Sequence, residues 1–468
     1  MMKMNEEQLK EIIAKAVICI ANDQYKERTE RAWLCDTAGQ AVANAKKAQL
    51  EMVKLSMEQR RHIIEEMRNA SLANAVKLAE LANQETHYGS VEHKTLKNRL
   101  AAVKTPGTED LVPKAYSGDD GLTLVEQAPF GVIGAITPST NPTATVINNA
   151  ISMVAAGNGV VFNPHPAARK ASQEALRILN QAITDAGGPA GLLCTVTEPT
   201  PDTGLEIMTH EDVKMLAVTG GEAVVGVAMK TGKKCVAAGP GNPPVIVDDT
   251  AFIPKAAKDI VDGASFDNNI LCVAEKEVFS FDSITDELIR EMEQNGAYLV
   301  NGADIDKIVR TVLIPKDGCY VINRKFVGRD ATYIMEQSRV SYTGHPRLVI
   351  AEVTEEHPFV QVEMLMPVLG IVRVKNIDEA IEKACKAEHG CQHSALIHSQ
   401  NVHNMSMAAA ALNTTIFVKN APSYSGLGFG GEGFATLTIA TPTGEGLTSA
   451  RTFTRARRCV LKGDFRIV

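Results

Sequence analysis

The stretch VVFNPHPAARKASQEALRILNQAITDAGG, residues 160–188, decides the fold. VVFNP (160–164) is a short apolar run of strand type, and the Ala167–Ala186 segment behind it carries Leu176, Leu179 and Ile183 on one helical stripe. Gly187 and Gly188 stop that helix. Upstream, LTLVEQAPFGVIGAITP (122–138) alternates strand and turn signals. Pro142–Ala156 then reads as a helix, with Asn141 as N-cap, proline at its first position and Gly157 past its end. Downstream come a strand in LLCTVTE (192–198), a short helix before Glu211, a strand in KMLAVTG (214–220) and a helix from Glu222. Such alternation predicts an α/β fold, a parallel sheet with helices on both faces. A second α/β region opens near Pro244, with strands in VIV (245–247), RLVIAEV (347–353) and LGIVRV (369–374). Helical patterns fill the chain before residue 104, chiefly Gln40–Lys54, Met57–Leu72 and Ala73–Thr86.

The 468 residues allow two or three domains. A net charge of −7 without a long basic block argues against nucleic acid or an anionic membrane as partner. From Gln127 to Ala168 no Asp, Glu, Lys or Arg occurs, which is long enough to cross a bilayer. Pro129, Pro138, Pro142, Pro164 and Pro166 interrupt it, as do Ser139, Asn141, Asn148 and Asn149, so it reads as buried core rather than a membrane span. Nine scattered cysteines without a CxxC pair suggest reduced thiols in a cytoplasmic setting, one of them a candidate nucleophile.

Residues 1–20 hold an amphipathic pattern, with Leu9, Ile12, Ile13, Ala16, Val17 and Ile20 on one face, and a polar linker follows over 21–35. Two readings stand: a first helix docked on its own domain, or a detachable helix that lays its apolar face on a partner.

Cys272 stands in DNNILC (267–272), and TPSTNP (137–142) places Asn141 at a turn before a helix. A thiolate, an amide donor and a backbone N–H are the parts needed to attack a carbonyl and hold the oxyanion. Helix capping competes for the same Asn141 side chain. No GxGxxG follows the first strand; Gly220, Gly221 and Gly226 instead flank the strand-to-helix junction at 219–226, whose helix N-terminus can face a pyrophosphate. In His389-Gly-Cys391-Gln-His393, a strand would put alternate residues on one face. With no carboxylate or fourth ligand nearby, a packed strand is expected there, and no metal.

Together these segments resemble the aldehyde dehydrogenase superfamily, and closely its coenzyme-A-acylating branch. The matching stretches are TPSTNP (137–142), VVFNPHP (160–166), TGGEAVVG (219–226), AGPGNPP (238–244), FDNNILCVAEK (266–276), EMLMPV (363–368), FVKNAPSYSGLGFGGEGF (417–434) and TPTGEGLTSARTF (441–453). The resemblance covers about residues 36–460 in the family's order. It implies a Rossmann-type cofactor domain (36–110 and 127–242), an α/β catalytic domain (243–440) and a β-arm (111–126 and 441–468) that pairs subunits into a dimer or tetramer. It also implies Cys272 as nucleophile, Asn141 as oxyanion donor and Glu363 as partner of the nicotinamide ribose. Cofactor contacts carry onto Thr137, Pro138, Ser139, Asn163, His165, Thr219, Gly220, Gly221 and Gly226.

The implied reaction converts a short-chain aldehyde, coenzyme A and NAD to acyl-CoA and NADH, with NADP left open as cofactor. Two departures bear on it. Ala238 stands where hydrolytic members carry a general-base glutamate, and Asn163 where they usually have a ribose-contacting lysine. Water, with a pKa of about 15.7, needs a base to attack a thioester; a thiol at about 8.5 is a few per cent thiolate unaided. A hydrolytic enzyme and a non-catalytic cargo protein are the rivals. Relatives of bacterial microcompartments are packaged by a short N-terminal amphipathic helix, which extends the expectation for residues 1–20 to shell proteins.

Overall fold

A computed structural model of the protein describes residues 32–468; the 1–20 helix and most of the linker lie outside the described residues. The described chain enters through β1 (Leu34–Cys35) and runs through four helices, Ala38–Met52, Met57–Ala73, Ala75–Thr86 and Val91–Lys104. A hairpin follows, β2 (Lys114–Gly118) and β3 (Gly121–Pro129). Strict alternation then begins: β4 (Val132–Thr137), helix Pro142–Ala155, β5 (Gly159–Pro164), helix Arg169–Asp185 and β6 (Leu193–Val196). It continues through helix Pro201–Thr209, β7 (Val213–Thr219), helix Glu222–Met229 and β8 (Lys234–Ala238). These strands form a parallel sheet in the order β1-β6-β5-β4-β7-β8.

The charge-free stretch is explained here. All fourteen residues of helix Pro142–Ala155 are buried, because the helix is sandwiched among other elements rather than laid on a surface. β5 beside it is buried along its whole length, as a strand covered on both faces must be.

The second sheet is also parallel, in the order β11-β14-β15-β10-β9-β16-β17. Its strands are β9 (Pro244–Val247), β10 (Glu277–Phe281), β11 (Ala297–Leu299), β14 (Leu348–Glu352), β15 (Val368–Val374), β16 (Ser394–His398) and β17 (Ile416–Lys419). Between β11 and β14 sits a separate hairpin, β12 (Leu313–Lys316) and β13 (Cys319–Ile322). After β18 (Ile439–Ala440) and β19 (Gly446–Leu447), the last strand, β20 (Thr454–Lys462), pairs antiparallel with β3 and completes the three-stranded arm.

Two boundaries differ from the sequence reading. Leu34 and Cys35, placed in the linker, pair with Thr195 and Val196 as the edge of the first sheet. Residues 435–453, divided between catalytic domain and arm, fold back onto helix Pro142–Ala155 and its exit. There Asn148 Oδ1 accepts from the Leu437 amide, Thr438 donates to Asn149 Oδ1, and Asn158 donates to the Phe453 carbonyl. Periodicity could not show this return, since it is fixed by buried asparagine side chains and by isolated apolar residues, Ala440, Ala450 and Phe453, that form no regular stripe.

Candidate active site

The carboxyl ends of the first sheet and the amino ends of the second lie close enough for Glu222 to act on Cys391. On the first, Thr137, Asn163, Thr219 and Ala238 lie at the carboxyl ends of β4, β5, β7 and β8. On the second, Gly241, Cys272, Glu363 and His393 all precede their strands β9, β10, β15 and β16, so they lie at its amino edge. The Gly241 amide points at Glu363 Oε1 at 3.5 Å. A Cβ built on Gly241 would stand 2.9 Å from the Cys272 carbonyl oxygen and 2.8 Å from His393 Cγ. That close approach requires glycine.

Cys272 is half-buried, on a turn between helix Ile253–Ser265 and β10. Its turn is entered through three consecutive left-handed non-glycine residues, Asp267, Asn268 and Asn269, at φ 49°, 55° and 65°. Such backbone costs about 1–3 kcal/mol per residue and persists only where the surroundings over-determine it. Here each side chain is bound. Asn268 donates to the Gly328 carbonyl and to Asp330 Oδ1, at 2.9 and 2.8 Å. Asn269 donates to the Ala264 and Glu275 carbonyls and accepts from Lys276 Nζ. Asp267, fully buried, accepts from the Ser90 amide at 2.8 Å and from Lys94 and Lys97.

Lys97 links this turn to Asn141, because its ammonium also donates to Asn141 Oδ1. Asn141 occupies the N-cap position of helix Pro142–Ala155, yet its side chain makes no capping bond. With Oδ1 held by Lys97, Nδ2 has only a weak 3.3 Å contact to Thr140 Oγ1. The competition between cap and donor is decided by a lysine on another helix: the amide is turned so that its N–H groups stay available.

Burial sets the proton affinities. It pushes the Cys272 thiol up to about 12, reinforced by the nearby Glu363 carboxylate and opposed by Lys276 and Lys97. Burial raises Glu363 and lowers Lys276, and each partly counteracts the shift of the other. Burial also pushes Glu275 up to about 7, against two hydrogen bonds from Ser423, and holds His393 down at about 4. Lys97 is lowered to about 8 by burial, against the pull of Asp267; that carboxylate resists burial and stays below its usual range because Lys97 and Lys94 face it.

The opposite edge is lined by small residues and backbone. Gly221 is the N-cap of helix Glu222–Met229 with no side chain on the first amides, and Pro138 and Ser139 are half-buried at the cleft. Thr137 keeps a buried Oγ1 without a partner among the described residues. Thr219 Oγ1 lies 3.2 Å from Thr438 Oγ1, and the Gly220 amide donates to the Ala238 carbonyl. This open helix terminus and the orphaned hydroxyl fit a dinucleotide. His165 is exposed at the end of β5. Asn163 is engaged by the protein itself, donating to the Thr200 carbonyl and accepting from Thr203 Oγ1. Gly226 lies inside the helix rather than at the turn, with nothing within 4 Å of where a Cβ would stand.

The 389–393 segment is not a strand. His389 and Gln392 take left-handed backbone at φ 56° and 52°, so the segment is a turn into β16 and the alternate-face arrangement does not arise. Instead His393 is buried beside Gly241, and the Glu363 field reaches Cys391, whose thiol burial pushes up to about 11. No group of three or more His, Cys, Asp or Glu able to hold a metal occurs among the described residues. Sequence reasoning gave no role to Lys97, Asp267 or Lys276, and it weighed His393 only as a packed strand residue or metal ligand. Asp267 and Lys276 had a visible signal, their place in the FDNNILCVAEK stretch; Lys94 and Lys97 had none.

The aldehyde dehydrogenase family pattern matches residues 29–436, and the chain belongs to that family. Among its relatives, the acetaldehyde dehydrogenase (acetylating) EutE of Salmonella typhimurium is 48% identical over 470 residues, covering 99% of this chain and 100% of that one. A propionaldehyde dehydrogenase from the Clostridium phytofermentans fucose utilisation bacterial microcompartment superposes with a TM-score of 0.91 at 49% identity, over 93% of this chain and 100% of that one. The Rhodopseudomonas palustris propionaldehyde dehydrogenase, solved with bound coenzyme A and an acylated cysteine, gives a TM-score of 0.90 at 47% identity, over 92% of this chain and 98% of that one.

Proposed function

We propose that this protein is a coenzyme-A-acylating aldehyde dehydrogenase that turns a short-chain aldehyde, coenzyme A and NAD(P) into acyl-CoA and reduced cofactor. The observation that carries the reading is a cysteine on a braced turn, with Lys97 both holding the oxygen of the Asn141 amide and acting on the Cys272 thiol, in a chain that has Ala238 in place of a carboxylate base. The Cys272 sulfur attacks the aldehyde carbon. Asn141 Nδ2 and the Cys272 backbone N–H, which points at its own sulfur, hold the oxygen. A nicotinamide bound in the cleft supplies the hydride acceptor. Loss of hydride from the thiohemiacetal leaves a thioester on Cys272. Attack by the coenzyme A thiolate breaks the C–S bond to Cys272 and restores the free cysteine. Glu363 orients the cofactor ribose, and the Thr219–Gly221 junction takes the pyrophosphate. Product analysis tests this: acyl-CoA should appear in step with reduced cofactor, whereas free acid as main product with coenzyme A present would refute it.

The arm supports a homo-oligomer, since β20 is an edge strand of its sheet, with one side unpaired among the described residues, that leaves Val460 and Leu461 59% and 49% exposed. For residues 1–20, the apolar face read from the sequence and the microcompartment source of the Clostridium relative support packaging with shell proteins. Deleting 1–20 should leave catalysis intact and abolish co-localisation of a fused reporter with shell; loss of catalysis would mean that the helix docks on its own chain.

A further inference from the structure

β16 has a buried histidine at each end. His393, just before it, belongs to the cleft; His398, its last residue, lies at the opposite edge of the sheet, roughly 16 Å away for five residues of extended chain. At that carboxyl edge the connections diverge. β9 leads to helix Ile253–Ser265, whose Ala256 and Ile260 pack with Val245 and Val247 on one face. Neighbouring β16 leads to helix Val402–Leu412, whose Ala408 and Leu412 pack with Ile246 and Ile397 on the other. Adjacent parallel strands that feed opposite faces define a topological switch point, where an α/β sheet opens a crevice for ligands.

A cavity of about 190 Å³ opens there, lined by Phe252, Lys255, Ala256, His398, Gln400 and Asn420. His398 is only 2% exposed; its Nε2 has no partner among the described residues, and its Nδ1 stands 4.0 Å from Asp259 Oδ2, too far to bond. A buried imidazole normally has a partner. The walls are fixed beforehand. Asp248 accepts from Thr250, Ser399 and Asn404, and Asn420 exchanges hydrogen bonds with the Ser399 backbone at 2.9 and 2.8 Å. Lys255 is neutralised by Asp259 and also binds the Asn420 carbonyl, so the mouth does not select an anion. Phe252, 63% exposed, offers an aromatic wall. The volume falls below the ~300–1,000 Å³ of sites for drug-sized ligands, so the crevice itself holds one flat ring system and any substituent on it must lie out at the exposed mouth.

We propose that this crevice is a second ligand site, taking a flat, uncharged nitrogen heterocycle of nucleobase size that lies against Phe252 and hydrogen-bonds His398 and Gln400. Adenosine is the probe, measured by equilibrium dialysis on the full-length protein with saturating NAD filling the cofactor cleft. One adenosine per chain should remain bound. Gln400→Trp, which plugs the mouth, and Phe252→Ser, which removes the wall, should each weaken it at least tenfold while the KM for NAD and kcat stay unchanged. The proposal fails if no adenosine binds beyond what NAD displaces, or if both variants bind it as the parent does. It also fails if Gln400→Trp splits the assembly, for the cavity would then be a contact between subunits.

Discussion

The carboxyl edge of the first sheet and the amino edge of the second face the same cleft, yet they are built of different material. The first is glycine, threonine and bare helix terminus, with Gly221 and Glu222 exposed and Thr137 holding an unpartnered hydroxyl. The second is braced by buried charged side chains, each less than 3% exposed: Lys94 and Lys97 pair with Asp267, while Ser423 holds Glu275 and Asn269 holds Lys276. An edge of backbone donors suits a large ligand that must enter and leave. Paired buried charges cost desolvation, and breaking one pair costs about 3–5 kcal/mol, so they suit a group that must not move. The lesson is that buried ion pairs and hydrogen bonds are concentrated around the Cys272 turn, whereas the Thr219–Gly221 junction presents bare backbone.

The largest expected effect falls on the edge that carries Cys272. Cys272→Ala should abolish aldehyde-dependent cofactor reduction, while single loss of any other cysteine should leave most of it. Turnover retained in Cys272→Ala would dissolve the distinction between the edges. Next comes Asn141→Ala, which should lose on the order of 10²–10³ in kcat, the scale of one oxyanion donor. Because its side chain makes no capping bond, any fall in melting temperature should reflect the lost Lys97 hydrogen bond rather than the helix terminus. A stability loss of about 1 kcal/mol with turnover retained would restore the capping role.

Much of this was legible in sequence, and the failures are instructive. The strand–helix alternation from Val132 to Met229 was readable because each element carries its own period. Cys272 and Asn141 could be singled out as candidates because both stand in local motifs. Lys97 was not: its helix, VEHKTLKNRLAAVK, buries Lys94, Thr95, Lys97 and Asn98, a polar face that any periodicity rule assigns to solvent. Only the tertiary partner Asp267, 170 residues on, makes that face an interior one. The turn at 389–393 failed for the converse reason, since His389 and Gln392 adopt left-handed backbone on either side of Gly390, and a lone glycine does not announce a turn of that width.

A subtler effect concerns pH. With the Cys272 thiol pushed up to about 12, the thiolate fraction of the cofactor-free protein grows with pH across the whole working range. Alkylation of Cys272 by iodoacetamide, followed by peptide mass spectrometry, should therefore accelerate about tenfold per pH unit from pH 7 to 10 without levelling. A plateau below pH 9 would show that the buried charges activate the thiol unaided. The smallest change is expected on the open edge. Ala238→Glu should raise free acid relative to acyl-CoA by giving water a base. An unchanged ratio in a folded variant would mean that something other than the missing carboxylate excludes water.

The central claim is that the acyl group passes through Cys272 and waits there for a thiol. Intact-protein mass spectrometry tests it directly, after the enzyme is mixed with propionaldehyde and NAD but no coenzyme A. The account predicts one propionyl adduct per chain, mapped to the Cys272 peptide and discharged as propionyl-CoA when coenzyme A is added. Reduced cofactor formed without an adduct on Cys272, or an adduct released as free acid despite coenzyme A, would contradict it.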